Sequence, residues 1–498
     1  MVSQQDPEKS GPDSAVVHAQ PEARPSSLSH PPDPFLVIFD EPYDKDNPIQ
    51  WTNRRKWIVT TILSATGFNR IVVSTIMAPA LTIMAQELHM SPVESAMSLS
   101  VYLLATAFGP LVIGPLSEMY GRQVVLHTSN VWFLAWNIAC GFATNKETLI
   151  AARLFTGFGA SAIYSLGGGV LGDIWLPEQR GKSLGTYLAI PLLAVAVGPI
   201  LGGVITARAH WRWMFWATSI FQGIAIVICF FTFWETSATI VLKRRASRLR
   251  RETGNKQYMT PDERLSRHLS LPTILARGLG RPLRLLAFHP IIQLTSLISA
   301  LNYGLLYVVL SSFADALTSQ YNLSVELSGL HYIAVALGEM VASQLGGTIM
   351  DTYYRRMVKK HGKHEPEYRV PLIYPGAVLG PLGLILYGWT AQYRVHWIAV
   401  DIGVFIFSFG LQISSLPVQA YVIDQYADYT SSALSARQFL CSLTAFLFPL
   451  FAPSLYKSLG YGWGNLTISL VAIILGAGAP FLLWKYGPRM REKSPEIN

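Results

Sequence analysis

Long apolar runs alternate with short polar breaks along almost the whole chain, and the runs share nearly one length. A helix needs about 20 apolar residues to cross a bilayer. Twelve windows meet that requirement, at roughly 57–84, 95–116, 124–143, 148–172, 183–206, 212–234, 288–315, 327–349, 370–391, 396–423, 432–456 and 463–485. Lipid offers no partner to backbone N–H and C=O groups, so segments this rich in glycine and proline are predicted as helices, the alternative being a closed barrel. The rhythm breaks at two places. Residues 1–50 are rich in Pro, Ser, Asp and Glu without a signal-peptide stretch, which predicts a disordered tail. Residues 235–287 carry KRRASRLRRETG and then SRHLSLPTILARGLGRPLRLLAF. The expected organisation is a tail (1–50), a six-helix bundle (51–234), a basic linker (235–287), a second six-helix bundle (288–486) and a short tail (487–498). The fold class is all-α, a membrane protein of twelve transmembrane helices in two pseudo-symmetric bundles.

Composition supports the bilayer as the main partner. The chain is 51% hydrophobic and 14% charged, where a soluble domain carries about a quarter charged residues. A net charge of +9 would suggest nucleic acid in a soluble protein, but its distribution is a topology signal instead. Twelve Lys or Arg lie from Lys243 through Arg284 and six from Arg355 through Arg369. The loops of the opposite face hold only Lys146, Arg208, Arg212, Arg394 and Lys457. With an even number of spans, both termini are expected in the cytoplasm. The linker has two readings, an anionic-lipid or regulatory contact and a plain hinge whose charges hold it on the inner face. Cys140, Cys229 and Cys441 all fall in predicted spans, so no disulfide framework is implied. Asn322-Leu-Ser324 and Asn465-Leu-Thr467 match the glycosylation sequon in or beside very short loops.

One short pattern occurs twice. Gly114, Glu118 and Arg122 stand in GPLSEMYGR, and Gly347, Asp351 and Arg355 stand 233 residues later in GTIMDTYYR. Each copy closes one apolar window and precedes another. The glycine permits close helix approach, and the acid one turn on can face the partial positive charge of a helix N-terminus. Spans 4 and 10 end with Asp173 and Asp424, so Arg122 is expected to pair with Asp173 and Arg355 with Asp424. These eight residues form a candidate cytoplasmic gate; the plainer reading is ordinary interfacial charge.

In sequence order, DKDNPIQWTNRRKW, GPLSEMYGR, ARLFTGFGA, GGGVLGDIWLPEQRGK, WRWMFW, PEYRV, YGWT, HWI, YVIDQY and GWGN resemble the major facilitator superfamily, in its fungal branch of twelve-span drug:proton antiporters. The likeness runs from about residue 44 to 493. It implies the major facilitator fold, a cytoplasmic gate of Glu118, Arg122 and Asp173, and a proton-coupling and substrate role for Arg153. Read from its chemistry alone, Arg153 is an intramembrane charge, interior or snorkelling to the outer surface. Gly198, Pro199, Gly202 and Gly203 in AVGPILGGV represent the antiporter helix of span 5, with Ile190 and Ala194 where further glycines are expected. Arg70, Glu339 and Asp401 also depart from the family pattern.

Arg70 lies about 13 residues into span 1, or about 20 Å deep at 1.5 Å per residue, and Glu339 lies at similar depth in span 8. Two readings are open. Arg70 anchors a carboxylated substrate with Glu339 as proton carrier, or Arg70 pairs structurally with Glu339 or Asp401. Asn69, Tyr164, Gln222, Asn302, Tyr303, Tyr307, Gln412 and Gln419 are the candidate cavity-lining residues. Tyr303 and Tyr307, four apart, share a helix face beside Asn302.

No catalytic constellation emerges, so the protein is not expected to be an enzyme. His331 and the other histidines lack metal-ligand spacing, and no P-loop or nucleophile elbow is present; no metal or cofactor is expected. Transport must then draw on an ion gradient or on the substrate's own gradient. The expected partners are protons, the bilayer and a small organic molecule. The expected activity is proton-coupled efflux by a monomer, in the plasma membrane rather than the vacuole, with a substrate site between the bundles near the midplane. A proton-coupled importer of the same fold and a transport-inactive membrane sensor are the alternatives.

Overall fold

The computed structural model describes residues 35–265, 271–363, 365–426 and 430–493. Most of the expected N-terminal tail, residues 1–34, and the last five residues of the expected C-terminal tail, 494–498, lie outside the described residues. The first half has its passes at Asn53–Thr75 with Leu81–Glu87 (span 1), Pro92–Tyr120 (span 2), Arg122–Gly141 (span 3), Lys146–Ala160 with Ala162–Ile174 (span 4), Pro177–Arg208 (span 5) and Trp213–Thr232 (span 6). The second half has them at Pro290–Tyr321 (span 7), Val325–Leu330 with Ile333–His361 (span 8), Pro366–Leu372 with Ile373–Gln392 (span 9) and Trp397–Gln425 (span 10). The continuous run Thr430–Lys493 supplies spans 11 and 12, because Gly460 adopts φ 73° and turns the chain between them. Among the described residues, ten stretches are long and apolar enough to cross a membrane. One of them is this double run, and the Arg122–Gly141 helix completes the twelve passes.

Local chemistry sets the helix starts. Ser91 and Glu94 form a reciprocal capping box at the head of span 2, and Asn145 caps span 4 by accepting from the Thr148 amide at 2.8 Å. Proline occupies the first turn of spans 2, 5 and 7, where no amide donor is needed. Between the halves, linker helices run over Ala238–Thr253, Pro261–Leu265 and Leu271–Phe288. They mark one end of the molecule, the linker face; the other end is the far face.

Each half packs its helices around its own core. Val72, Met77, Leu99 and Phe215 centre one cluster in the first half, and Ile292, Ile373, Val418 and Leu483 one in the second. A third cluster joins the halves, with Val73, Tyr102 and Phe133 packed with Leu301, Phe313 and Tyr332. The halves meet along two seams, span 2 on span 11 and span 5 on span 8. In the first, Thr106 and Ser442 hydroxyls lie 3.0 Å apart and the Phe108 and Phe439 rings 5.3 Å apart. Asn465 is buried and accepts from the Tyr456 hydroxyl at 2.7 Å, which removes it as a glycosylation site.

Candidate functional site

At the linker face the structure brings Arg122 and Asp173 together at 3.3 Å, and Thr236 also donates to Asp173 at 3.2 Å. Arg122 donates as well to the Ser117 hydroxyl. The acid that meets the start of span 3 is Glu235, which the sequence reading missed, while Glu118 is exposed. The Glu235 carboxylate accepts from the amides of Arg122 at 2.9 Å, Gln123 at 3.4 Å, Thr236 at 3.1 Å and Ser237 at 3.0 Å. This is the arrangement that a helix N-terminus offers an anion. It depends on Gly121, whose φ of 99° suits glycine and whose missing side chain leaves the space Glu235 fills.

The second copy of the pattern is built differently. Asp424 pairs with Arg369 at 2.6 Å, which corrects the expected pairing with Arg355. Arg355 and Asp351 are exposed, and Gly347 has open space beside it. Arg369 lies within the 3-10 turn that opens span 9 and stacks over Tyr354 at 4.5 Å, so it reaches Asp424 from a rigid base. A β-carbon on Gly114 would meet, among the described residues, only Ser165 within 4 Å, at 3.9 Å.

The intramembrane charges separate rather than pair. Arg70 is 2% exposed, and its Nη2 donates to Asn130 Oδ1 at 2.6 Å and Ser129 Oγ at 3.3 Å, both on span 3. Of the two open readings, the structural pair with Glu339 or Asp401 does not form, because Arg70 points into its own bundle. Asp401 instead meets His331 Nδ1 at 2.8 Å near the far-face ends of spans 8 and 10, with Trp397 edge-on to the histidine at 5.1 Å. Arg153 is fully buried and does not snorkel. Its guanidinium donates to the carbonyls of Val73 at 2.8 Å, Ser98 at 3.2 Å and Leu99 at 3.4 Å, and lies 4.6 Å from the Tyr102 ring, clipping spans 1, 2 and 4 together.

Glu339 is 8% exposed and makes no hydrogen bond or ion pair with any described residue. It lies within electrostatic reach of Tyr303 and Tyr307, whose rings are 5.8 Å apart. Tyr307 belongs to the cluster that joins the halves, and Tyr303 packs against it. Tyr164 keeps 41% of its surface accessible, and Gln412 and Gln419 are half-buried on span 10. Other expected lining residues serve packing: Asn69 donates to Gln222 at 3.0 Å between spans 1 and 6, and Asn302 to Ser414 at 2.7 Å on span 10.

The span 5 glycines lie at the far-face seam. Gly198 and Gly202 let span 5 approach Thr75 and Ile76 of span 1. A β-carbon on Gly203 would stand 2.7 Å from the Val325 carbonyl oxygen, and one on Gly329 2.6 Å from that of Pro199. Arg208 and Glu326 close the same seam at 2.7 Å. Ala194, where a further glycine was expected, is fully buried and accommodated.

Twelve passes in two bundles, joined at two seams with Tyr303 and Tyr307 packed where the halves meet, invite comparison with known transporters. The Major Facilitator Superfamily model matches residues 62–449. The chain belongs to this family. It is 51% identical over 416 residues to a probable efflux pump, mfs2, of Aspergillus flavus, covering 83% of this chain and 98% of that one. It is 38% identical over 482 residues to the efflux pump vrtL of Penicillium aethiopicum, covering 95% of each. Among solved structures, the inward-open xylose transporter XylE of E. coli aligns over 86% of this chain and 96% of its own with a TM-score of 0.64; at 14% identity this shows the fold alone. The protein is a multi-pass membrane transporter of the major facilitator fold.

Proposed function

We propose that this transporter exports a small organic molecule, of secondary-metabolite, organic-acid or drug type, by proton-coupled alternating access. In this reading it acts as a monomer in the plasma membrane with the linker face and both termini cytoplasmic. Relatives named efflux pumps support export. The single observation that carries proton coupling is Glu339, a buried carboxyl with no ion-pair partner among the described residues, within electrostatic reach of Tyr303 and Tyr307 where the halves pack together. An isolated charge at such depth is costly, so taking up and releasing a proton is the natural way for this group to change state as access alternates.

Tyr164, Tyr303, Tyr307, Gln412 and Gln419 then contact substrate, and Arg122, Asp173 and Glu235 hold the first half's share of the linker-face gate. Arg70 contributes only the field of its charge, since its bonds go to span 3. A membrane potential of 100 mV supplies about 2.3 kcal/mol per charge moved, enough to concentrate substrate substantially.

Metabolite profiles of cells and medium with and without the protein identify the cargo; reconstituted vesicles with an imposed pH gradient then test the coupling. Glu339→Gln is expected to lose gradient-driven accumulation while exchange of labelled for unlabelled substrate continues. Undiminished gradient-driven transport in that variant overturns proton coupling through Glu339. The direction of flux under the same gradient separates exporter from importer.

A further inference from the structure

The segment before span 1 contains a buried carboxylate that the transport cycle above does not use. Asp44 is 3% exposed. Its Oδ2 accepts from the Asp40 amide at 3.0 Å and from Arg245 Nη1 at 2.8 Å, and its Oδ1 accepts from the Asp46 amide at 2.9 Å. Its own amide donates to Gln50 Oε1 at 2.7 Å. Burial alone would raise this carboxyl, but the two amides and Arg245 outweigh it and hold it below its ordinary value of 3.8. Arg245 sits on the linker helix Ala238–Thr253 and also reaches the Ile38 carbonyl at 3.3 Å.

The same two segments meet again further on. The Val37 amide donates to the Met259 carbonyl at 2.9 Å and the Met259 amide to the Phe35 carbonyl at 3.0 Å, a short parallel bridge flanked by the Phe35 and Tyr258 rings at 5.6 Å. Arg250 fixes the returning chain by donating to the Tyr258 carbonyl at 2.7 Å and pairing with Glu263. At the membrane end, Arg55 lies 3.7 Å from the Trp51 ring and 4.4 Å from that of Trp234, and Lys56 donates to the Ile49 carbonyl at 2.7 Å. The segment is therefore fastened along its whole length, to the linker at one end and to spans 1 and 6 at the other. Arg244, one residue before the clasp, stands 3.6 Å from Glu235.

We propose that residues 35–51 form a permanent strap that binds the linker helix Ala238–Thr253 to the first bundle, with Asp44 and Arg245 as its buried clasp. This helix then travels with the first bundle through the cycle, and Arg244 stays beside the Glu235 cluster. Asp44 and Arg245 are positioning residues, since neither touches Arg122 or Asp173.

The test uses full-length protein in detergent micelles and reads tryptic cleavage at Arg248, Arg250 and Arg251 by mass spectrometry. Asp44→Asn is expected to speed cleavage at these sites about tenfold, with Arg245→Gln giving the same result as an independent variant. The charge-swapped pair Asp44→Arg with Arg245→Asp should return the rate to within about twofold of the parent, as should an oxidised Leu36→Cys/Met259→Cys bridge in the Asp44→Asn background. Thermal unfolding, read from the three buried cysteines, separates release of the helix from loss of fold. Single variants cleaved at the parent rate overturn the proposal. So does a fall in melting temperature that accompanies faster cleavage and that neither the swap nor the bridge repairs.

Discussion

Removing the Glu235 carboxylate tests whether the linker-face cluster is built on backbone dipoles or on a side-chain ion pair. Four amides converge on this group, three of them on Oε1 at 2.9 to 3.1 Å. A hydrogen bond to a charged group contributes about 1.5–3 kcal/mol net, and water can replace part of that at an interface. Glu235→Ala leaves all four donors without their acceptor, and the expected loss is about 3–5 kcal/mol. Glu235→Gln keeps one oxygen, which can take the three-donor position, and loses the charge and the weaker contacts to Gln123 and Arg244; about 1–2 kcal/mol is expected. If the residue acted mainly through Arg244, at 3.6 Å and half exposed, both variants would cost the same, under about 1 kcal/mol, and salt would erase the difference. Thermal unfolding monitored with a thiol-reactive dye suits this protein, because Cys140, Cys229 and Cys441 are all buried until the bundles open. A melting temperature lowered equally by Ala and Gln, or restored to the parent value when both proteins are compared in high salt, would refute the dipole argument.

Two further outcomes follow from the same geometry. Gly203→Ala places a methyl against the Val325 carbonyl oxygen at the far-face seam, and overpacking of this kind costs about 1–3 kcal/mol. The variant should therefore favour the state open at that face, seen as faster maleimide labelling of a cysteine introduced at buried Ser328; unchanged labelling would count against the seam as a moving contact. Asp44 has its folded-state carboxyl below 3.8, so its contribution to the strap is complete above that pH and drains away as pH falls through the folded value. Hydrogen exchange at the Val37 and Met259 amides, corrected for intrinsic rate, should be level from neutral pH down to about 5 and rise only below about 4.

The number of spans and the division into halves are legible because a bilayer imposes one length on every apolar helix, a constraint that acts on composition alone. The Arg122 and Asp173 contact was legible for a related reason, since a pattern repeated in both halves marks positions at the same membrane boundary. Direction around a helix was not. Depth along the axis puts Arg70 and Glu339 at one height, yet Arg70 turns to Asn130 within its own bundle while Glu339 has no ion-pair partner among the described residues. Asp401, a candidate for the same central group by its charge, is the fifth residue of its helix, and depth alone puts it with His331 near the start of span 8. Glu235 left no signal because its partners are amides, which every residue but proline carries.

The two halves solve the linker face with opposite charge. The segment after span 6 brings an acid, Glu235, to the bare amides that open span 3. The end of the helical run that supplies span 12 brings a base, Arg491, to a buried acid, Glu367, that opens span 9, at 3.4 Å. The first contact uses dipoles fixed in the backbone and is short and multidentate. The second joins a long, half-exposed side chain to one carboxylate, with more entropy to lose and more screening by salt. Pseudo-symmetry of helices therefore does not extend to the strength of their fastenings. With the strap and the Glu235 nest both on the first bundle, and Arg355 exposed on the second, the first bundle's linker face is the more firmly tied of the two, and changes at that face as access alternates should fall mainly on the second bundle's side.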